Sequence, residues 1–264
     1  MECLWIANSS MLKAQIRQQL RASWKAVCER HFAQEDNAFA PPVITHTGVS
    51  RTAAFTLLIV LTPWKTSASR FSRDVQAHMS KSQFGKIDMV VALPPPFGEH
   101  TEWFAYDEES DNNTTDDMQR WRLGAAHPHQ VVASVRAVCE FVENVPFDDV
   151  VILGSSQGGT IAAHVGFECA AQTLRRVISH HTAGLYLELF SPKAQNDVSW
   201  QLTVVPATQL MWHGDLSTWN GQLFNVPRFS KRIVLFHVLE HDDVVGDTLQ
   251  KQLKDKDNYL QDKV

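Results

Sequence analysis

Short apolar runs, each bounded by turn residues and most separated by a helical pattern, recur along this chain from Ala54 onwards. They are Ala54–Leu61 (AFTLLIVL), Ile87–Leu93 (IDMVVAL), Asp149–Leu153 (DVVIL), Arg176–Ser179, Gln209–Trp212 and Arg232–Val238. Between them, helical spacing is legible near Ser69–Ser80, His129–Val145 and Gly158–Ala171, and a last helix is expected over Val244–Lys254. A strand exposed on one face alternates apolar with polar residues. Runs that are apolar throughout belong to a sheet covered on both faces, and strands alternating with helices make parallel βαβ units. The expected architecture is therefore a doubly wound, mostly parallel sheet sandwiched by helices. Ligands of such sheets bind beyond the carboxyl ends of the strands.

The remaining sequence narrows the field. With 264 residues, 44% of them hydrophobic and 20% charged, the chain can bury a large core. Its net charge of −5 argues against nucleic acid or an anionic membrane as a general partner. No apolar stretch has the length of a membrane span, and the start MECLWIANSSMLK does not read as a secretory signal. Cys3, Cys28, Cys139 and Cys169 stand far apart with no CxxC pair, which points away from zinc and from a disulfide framework. A reducing, cytoplasmic compartment is the expectation. Residues 1–42 read as a helical extension packed on the core, with a helix over Met11–Ala33 and a loop ending at Pro41–Pro42, and 43–264 as the α/β domain. The acidic stretch Asp107–Asp117 lacks the spacing of a calcium loop and reads as a solvated segment.

The chemistry concentrates at Val150–Thr160, VVILGSSQGGT. Gly154-Ser155-Ser156-Gln157-Gly158 fits G-x-S-x-G, directly after an expected strand and before an expected helix, the context in which that pattern makes a nucleophile turn. Such a turn holds the serine in strained backbone angles and leaves no room for side chains two residues either way, hence the glycines. The Ser156 hydroxyl is then raised above the sheet at a helix N-terminus, where unbonded N–H groups favour developing negative charge. A phosphate-binding loop would need a lysine after the last glycine, and Gly159-Thr160 has none.

A serine needs a base and a group to orient that base. In this type of fold they follow in the order serine, acid, histidine, on loops after later strands. His241, three residues beyond Arg232–Val238, suits the base. His237 lies within the strand and reads as a packed residue, with His180, His181, His127 and His129 as lesser rivals. Asp215, the only carboxylate of the loop His213–Ser217, is either the orienting acid or a cap for the helix near Thr218–Gln222.

At LGSSQGG the chain resembles the α/β-hydrolase superfamily, and within it the acyl-protein thioesterase and phospholipase/carboxylesterase group. Trp103-Phe104, His213-Gly214-Asp215 and the spacing of His241 add to the resemblance, which runs from about Ala54 to the C-terminus. It implies hydrolysis of a carboxylic ester or thioester, on a small molecule or an acylated protein, with no cofactor and no metal. Ser156 would be the nucleophile and His241 the base, with the backbone N–H groups of Gln157 and Trp64 as the oxyanion hole. Leu185–Phe190 would contribute apolar surface for an acyl group. Two departures stand out. The group has a His-Gly pair after its first core strand where this chain has Leu61-Thr62-Pro63-Trp64-Lys65, and its acid position corresponds to Ser217. These departures keep two alternatives in view: a ligand-binding or scaffold protein of the same fold, and the same serine site turned to elimination or acyl transfer.

Overall fold

The computed structural model describes residues 15, 19, 42–47, 55–78, 87–106, 126–182, 185–186, 189, 198–205 and 232–239. Their elements are β1 (Val43–Thr47), β2 (Thr56–Leu61), α1 (Ala68–His78), β3 (Met89–Leu93), α2 (Pro128–Asn144), β4 (Asp149–Ser155), α3 (Gln157–Glu168), β5 (Leu174–His180), β6 (Val198–Val205) and β7 (Arg232–Leu239). The strands form one seven-stranded sheet in the order β1-β3-β2-β4-β5-β7-β6. Every pairing is parallel except that of β1 with β3. The doubly wound, mostly parallel sheet read from the sequence is the observed one.

The inner strands are buried on both faces, which is why they are apolar without interruption. Leu57, Ile59 and Leu61 of β2 face one core cluster together with Val131, Val135, Val138 and Val142 of α2 and Ile161 and Val165 of α3. Leu58 and Val60 face the opposite cluster, which includes Phe71 and Val75 of α1. α1 and α2 each present one apolar stripe, at 68, 71, 75 and at 131, 135, 138, 142, as helices with a solvent face do. α3 is different: Gln157 to Phe167 are all buried, so this helix is enclosed by the sheet and α2. Its C-terminus is capped by Arg232 of β7, whose guanidinium donates to the carbonyls of Gly166 (3.1 Å), Cys169 (2.6 Å), Ala171 (2.6 Å) and Leu174 (2.9 Å). A planar, five-donor group suits these carbonyls, which converge from α3, the turn after it and the start of β5, better than an ammonium.

Two strands were not anticipated, β1 and β6, and among the described residues they are the two edges of the sheet. The strand expected at Gln209–Trp212 lies outside the described residues, as does the helix expected at Val244–Lys254. β5 and β7 are hydrogen-bonded neighbours, so no strand stands between them. Within 1–41 only Gln15 and Gln19 are described, both helical and exposed.

Candidate active site

β4 is the fourth of the seven strands, and the chain leaves its carboxyl end through Ser156. Ser156 has φ 52° and ψ −120°, a backbone conformation that costs on the order of 1–3 kcal/mol and persists only where surroundings impose it. Here the surroundings are specific. The Ser156 N–H donates to the carbonyl of His180 on β5 (3.0 Å), and the Ser156 carbonyl accepts the N–H of Thr160 to start α3. A Cβ on Gly154 would lie under 3.0 Å from the carbonyl of Gly158, and one on Gly158 under 3.0 Å from the carbonyls of Leu61 and Thr62. The glycines on both sides of Ser156 are thus required by close approach of backbone to backbone.

Ser156 occupies the N-cap position of α3 yet makes no side-chain capping bond. A serine in ordinary capping geometry would turn its oxygen onto the N–H groups of the first turn. The unusual backbone angles of Ser156 take it out of that geometry, and its half-buried side chain stands at the carboxyl end of β4. Among the described residues no acceptor is bonded to the Gln157 N–H. In the facing loop after β2, Pro63 has no N–H and that of Lys65 is bonded to the Thr101 carbonyl (2.9 Å). The Trp64 N–H between them has no acceptor among the described residues. Leu61 pairs with Gly154 across β2 and β4, which sets this loop beside the serine turn. Lys65 takes φ 56°, the left-handed conformation that a glycine-rich loop would supply without strain.

The Gln157 side chain is fully buried and holds the loop after β3: its Oε1 accepts the Trp103 N–H (3.1 Å) and its Nε2 donates to the Phe104 carbonyl (2.9 Å). The Trp103 indole, also buried, donates to the Thr62 carbonyl (2.9 Å), and the Trp64 indole donates back to Glu102 Oε1 (2.9 Å). Trp64 also carries Lys65 Nζ over its ring at 4.0 Å. Its edge meets Tyr106, whose hydroxyl is raised above its ordinary range, chiefly by burial. Phe104 packs against both Tyr106 and Tyr186 at ring-centroid distances of 5.5 and 5.8 Å. Leu185 is part of the core beside α2 and α3.

On the other side of Ser156, Ser155, His180 and His237 stand in one row across β4, β5 and β7. The His180 and His237 rings meet edge to face at 6.2 Å. Burial pushes His180 down to about 3, with the neighbouring rings of His237 and His181 adding to it, and burial pushes His237 down to about 4. Both imidazoles are neutral at physiological pH, and His237 is the packed strand residue its position suggested. Of the residues singled out in the sequence, Ser156 and Gln157 share one turn, and the loop that carries Trp64 lies beside that turn. His241, Asp215 and Ser217 lie outside the described residues. Sequence reasoning missed the part played by the side chains of Gln157 and Trp103, for which only the Gln-Gly-Gly and Trp-Phe motifs gave a hint.

A doubly wound, mostly parallel sheet with a strained serine at the turn after its central strand is the α/β-hydrolase fold. Solved structures similar to this one include a Bacillus cereus carboxylesterase, at 12% identity and TM-score 0.48, covering 87% of this chain and 97% of that one. They also include an esterase, PE8 (14%, TM-score 0.43, 82% and 98%), and acyl-protein thioesterase 2 of Zea mays (12%, TM-score 0.41, 81% and 98%). At these identities the likeness is one of fold. No family model and no curated protein matches the sequence. Among the described residues no helix is long and apolar enough to cross a membrane.

Proposed function

We propose that this protein is a serine hydrolase that cleaves carboxylic esters or thioesters through an acyl-enzyme on Ser156. The observation that carries this reading is the Ser156 turn itself: a strained serine at a helix N-terminus whose hydroxyl does not cap that helix, beside two N–H groups without an acceptor among the described residues. Strain of this kind is retained where it serves a purpose, and lifting a hydroxyl over the sheet is such a purpose.

In the proposed reaction Ser156 Oγ attacks the substrate carbonyl as His241 takes its proton. The N–H groups of Gln157 and Trp64 hold the resulting oxyanion. Collapse expels the alcohol or thiol with the proton returned by His241. A water, deprotonated by the same imidazole, then releases the acid. β7 runs parallel to β4 with only β5 between, so at about 4.8 Å per strand the two backbones are roughly 10 Å apart. The chain leaves β7 at Leu239 on the side of the sheet where Ser156 stands, and His241 is two residues further on. Asp215 is assigned to orient His241.

A fluorophosphonate probe tests this reading. Wild-type protein is expected to be labelled, and Ser156→Ala and His241→Ala to lose labelling while remaining folded. Unlabelled, well-folded wild type would refute it. If Asp215 is the acid, Asp215→Asn lowers turnover by up to about four orders of magnitude, whereas Ser217→Ala changes little. Equal losses from Asp215→Asn and Asp243→Asn would remove the assignment.

A further inference from the structure

The two N–H groups assigned to the oxyanion belong to segments far apart in sequence, one opening α3 and the other following β2. Their relative position is set by a chain of hydrogen bonds through Trp103. From α3, the Gln157 side chain grips the backbone of Trp103 and Phe104. From there the Trp103 indole reaches 41 residues back to the Thr62 carbonyl. Trp103 is itself tied to α2, where Ser134 Oγ donates to its carbonyl at 2.6 Å.

We infer that Trp103 is a positioning residue for the oxyanion hole, holding the Trp64 N–H in register with the Gln157 N–H. The geometry of the loop supports this residue by residue. Bonding of the Thr62 carbonyl to the indole orients the Thr62–Pro63 peptide. The pyrrolidine ring fixes the next φ. On the far side, the Lys65 N–H is bonded to Thr101 and its φ of 56° turns the chain. The Trp64 peptide therefore lies between two fixed points, with little rotational freedom left. The lacing replaces a glycine-rich loop by one whose shape is imposed from outside, by two indoles donating in opposite directions across the gap. Preorganised donors are effective because they need not reorganise as charge develops.

This inference rests on the hydrolase reading, and the experiment separates the two. Trp103→Phe removes the indole N–H; Ser134→Ala removes a tether on Trp103 with almost no change of volume and decides the matter if Trp103→Phe does not fold. Arg232→Lys, which loosens the opposite end of α3, is the control for general destabilisation. Each is assayed for kcat and KM on a p-nitrophenyl ester and for amide hydrogen exchange over residues 62–66. Losing an oxyanion donor costs about a hundredfold or more in kcat, so displacing one is expected to cost about ten- to a hundredfold. KM stays near wild type, exchange over 62–66 rises, and Arg232→Lys keeps its kcat. Unchanged kcat in folded Trp103→Phe and Ser134→Ala overturns the inference. So does a loss of kcat shared by Arg232→Lys, which would make the role structural alone. If wild type itself shows no Ser156 labelling, the hydrolase reading fails and the inference with it.

Discussion

Replacing Gly158 and Gly159 by alanine, one at a time, separates close approach from helix propensity. Both residues lie in the first turn of α3, and neither has a positive φ. In propensity alone each substitution favours the helix by about 1 kcal/mol. What the new methyl group would meet is different. At Gly159 the nearest atoms are the His180 carbonyl at 3.0 Å and Gly154 O and Ser179 Oγ at 3.4 Å, tight contacts that shifts of a few tenths of an ångström relieve. At Gly158 the methyl group falls on the carbonyls of Leu61 and Thr62, the latter at 2.5 Å, and both are backbone. Restoring ordinary contact with both carbonyls requires the end of β2 to retreat by roughly 1 Å. Overpacking of this kind costs about 1–3 kcal/mol, and a rigid backbone belongs at the upper end.

The expected outcome is that Gly159→Ala is close to neutral while Gly158→Ala is destabilised by about 1–2 kcal/mol after the propensity gain is offset. The functional loss should be larger in proportion. The displaced segment carries the Trp64 N–H proposed to hold the oxyanion, and a displacement of about 1 Å at a reacting centre can cost a hundredfold. Urea midpoints at unchanged m-value report the stability, and the rate of fluorophosphonate labelling reports the site. If Gly158→Ala is as stable as Gly159→Ala and labels at the wild-type rate, the packing of α3 onto the end of β2 is not what demands glycine there.

Ser156→Gly is expected to be more stable than Ser156→Ala by about 1 kcal/mol in urea, reversing the usual order, because only glycine takes φ 52° with ψ −120° without strain; the usual order would deny the strain. Arg232→Lys should lose about 2 kcal/mol in the same measurement, since an ammonium cannot satisfy four carbonyls arranged for a guanidinium. Arg176 of β5 is 2% exposed, its Nε and Nη1 find no acceptor among the described residues, and burial lowers it to about 10; Arg176→Met is therefore expected to raise stability by about 1–4 kcal/mol, and a loss would refute the reasoning. His180 and His237 are depressed in the folded state, so as pH falls below about 6.5 the unfolded chain protonates first. Stability should then fall down to about pH 4, by up to about 1.4 kcal/mol per pH unit for each ring, and His237→Gln should flatten the urea-midpoint profile.

How much of this was legible beforehand follows from where each residue sits. The inner strands β2, β3, β4, β5 and β7 could be read because burial on both faces leaves a continuous apolar signature. β1 (VITHT) and β6 (VSWQLTVV) lack it because they are the sheet's two edges, where polar residues interrupt the run. β5 runs from Leu174 to His180, longer than the expected Arg176–Ser179, since Arg175 concealed its start; Arg176 is buried despite its charge. At the site, the Ser156 turn was legible because its constraint is local: the strand's end, the glycines and the helix's start all lie within the eleven residues Val150–Thr160. The Leu61–Lys65 loop was not, because its shape is held by partners at Thr101, Glu102 and Trp103. Read alone, Pro63-Trp64-Lys65 is a departure from a glycine-rich loop. In the fold, Lys65 adopts the glycine conformation and the two tryptophans fix the rest. A loop without glycines can therefore be held in a glycine-like shape by restraint from outside it, and on the proposed reading that restraint is the place where the chemistry is most easily broken.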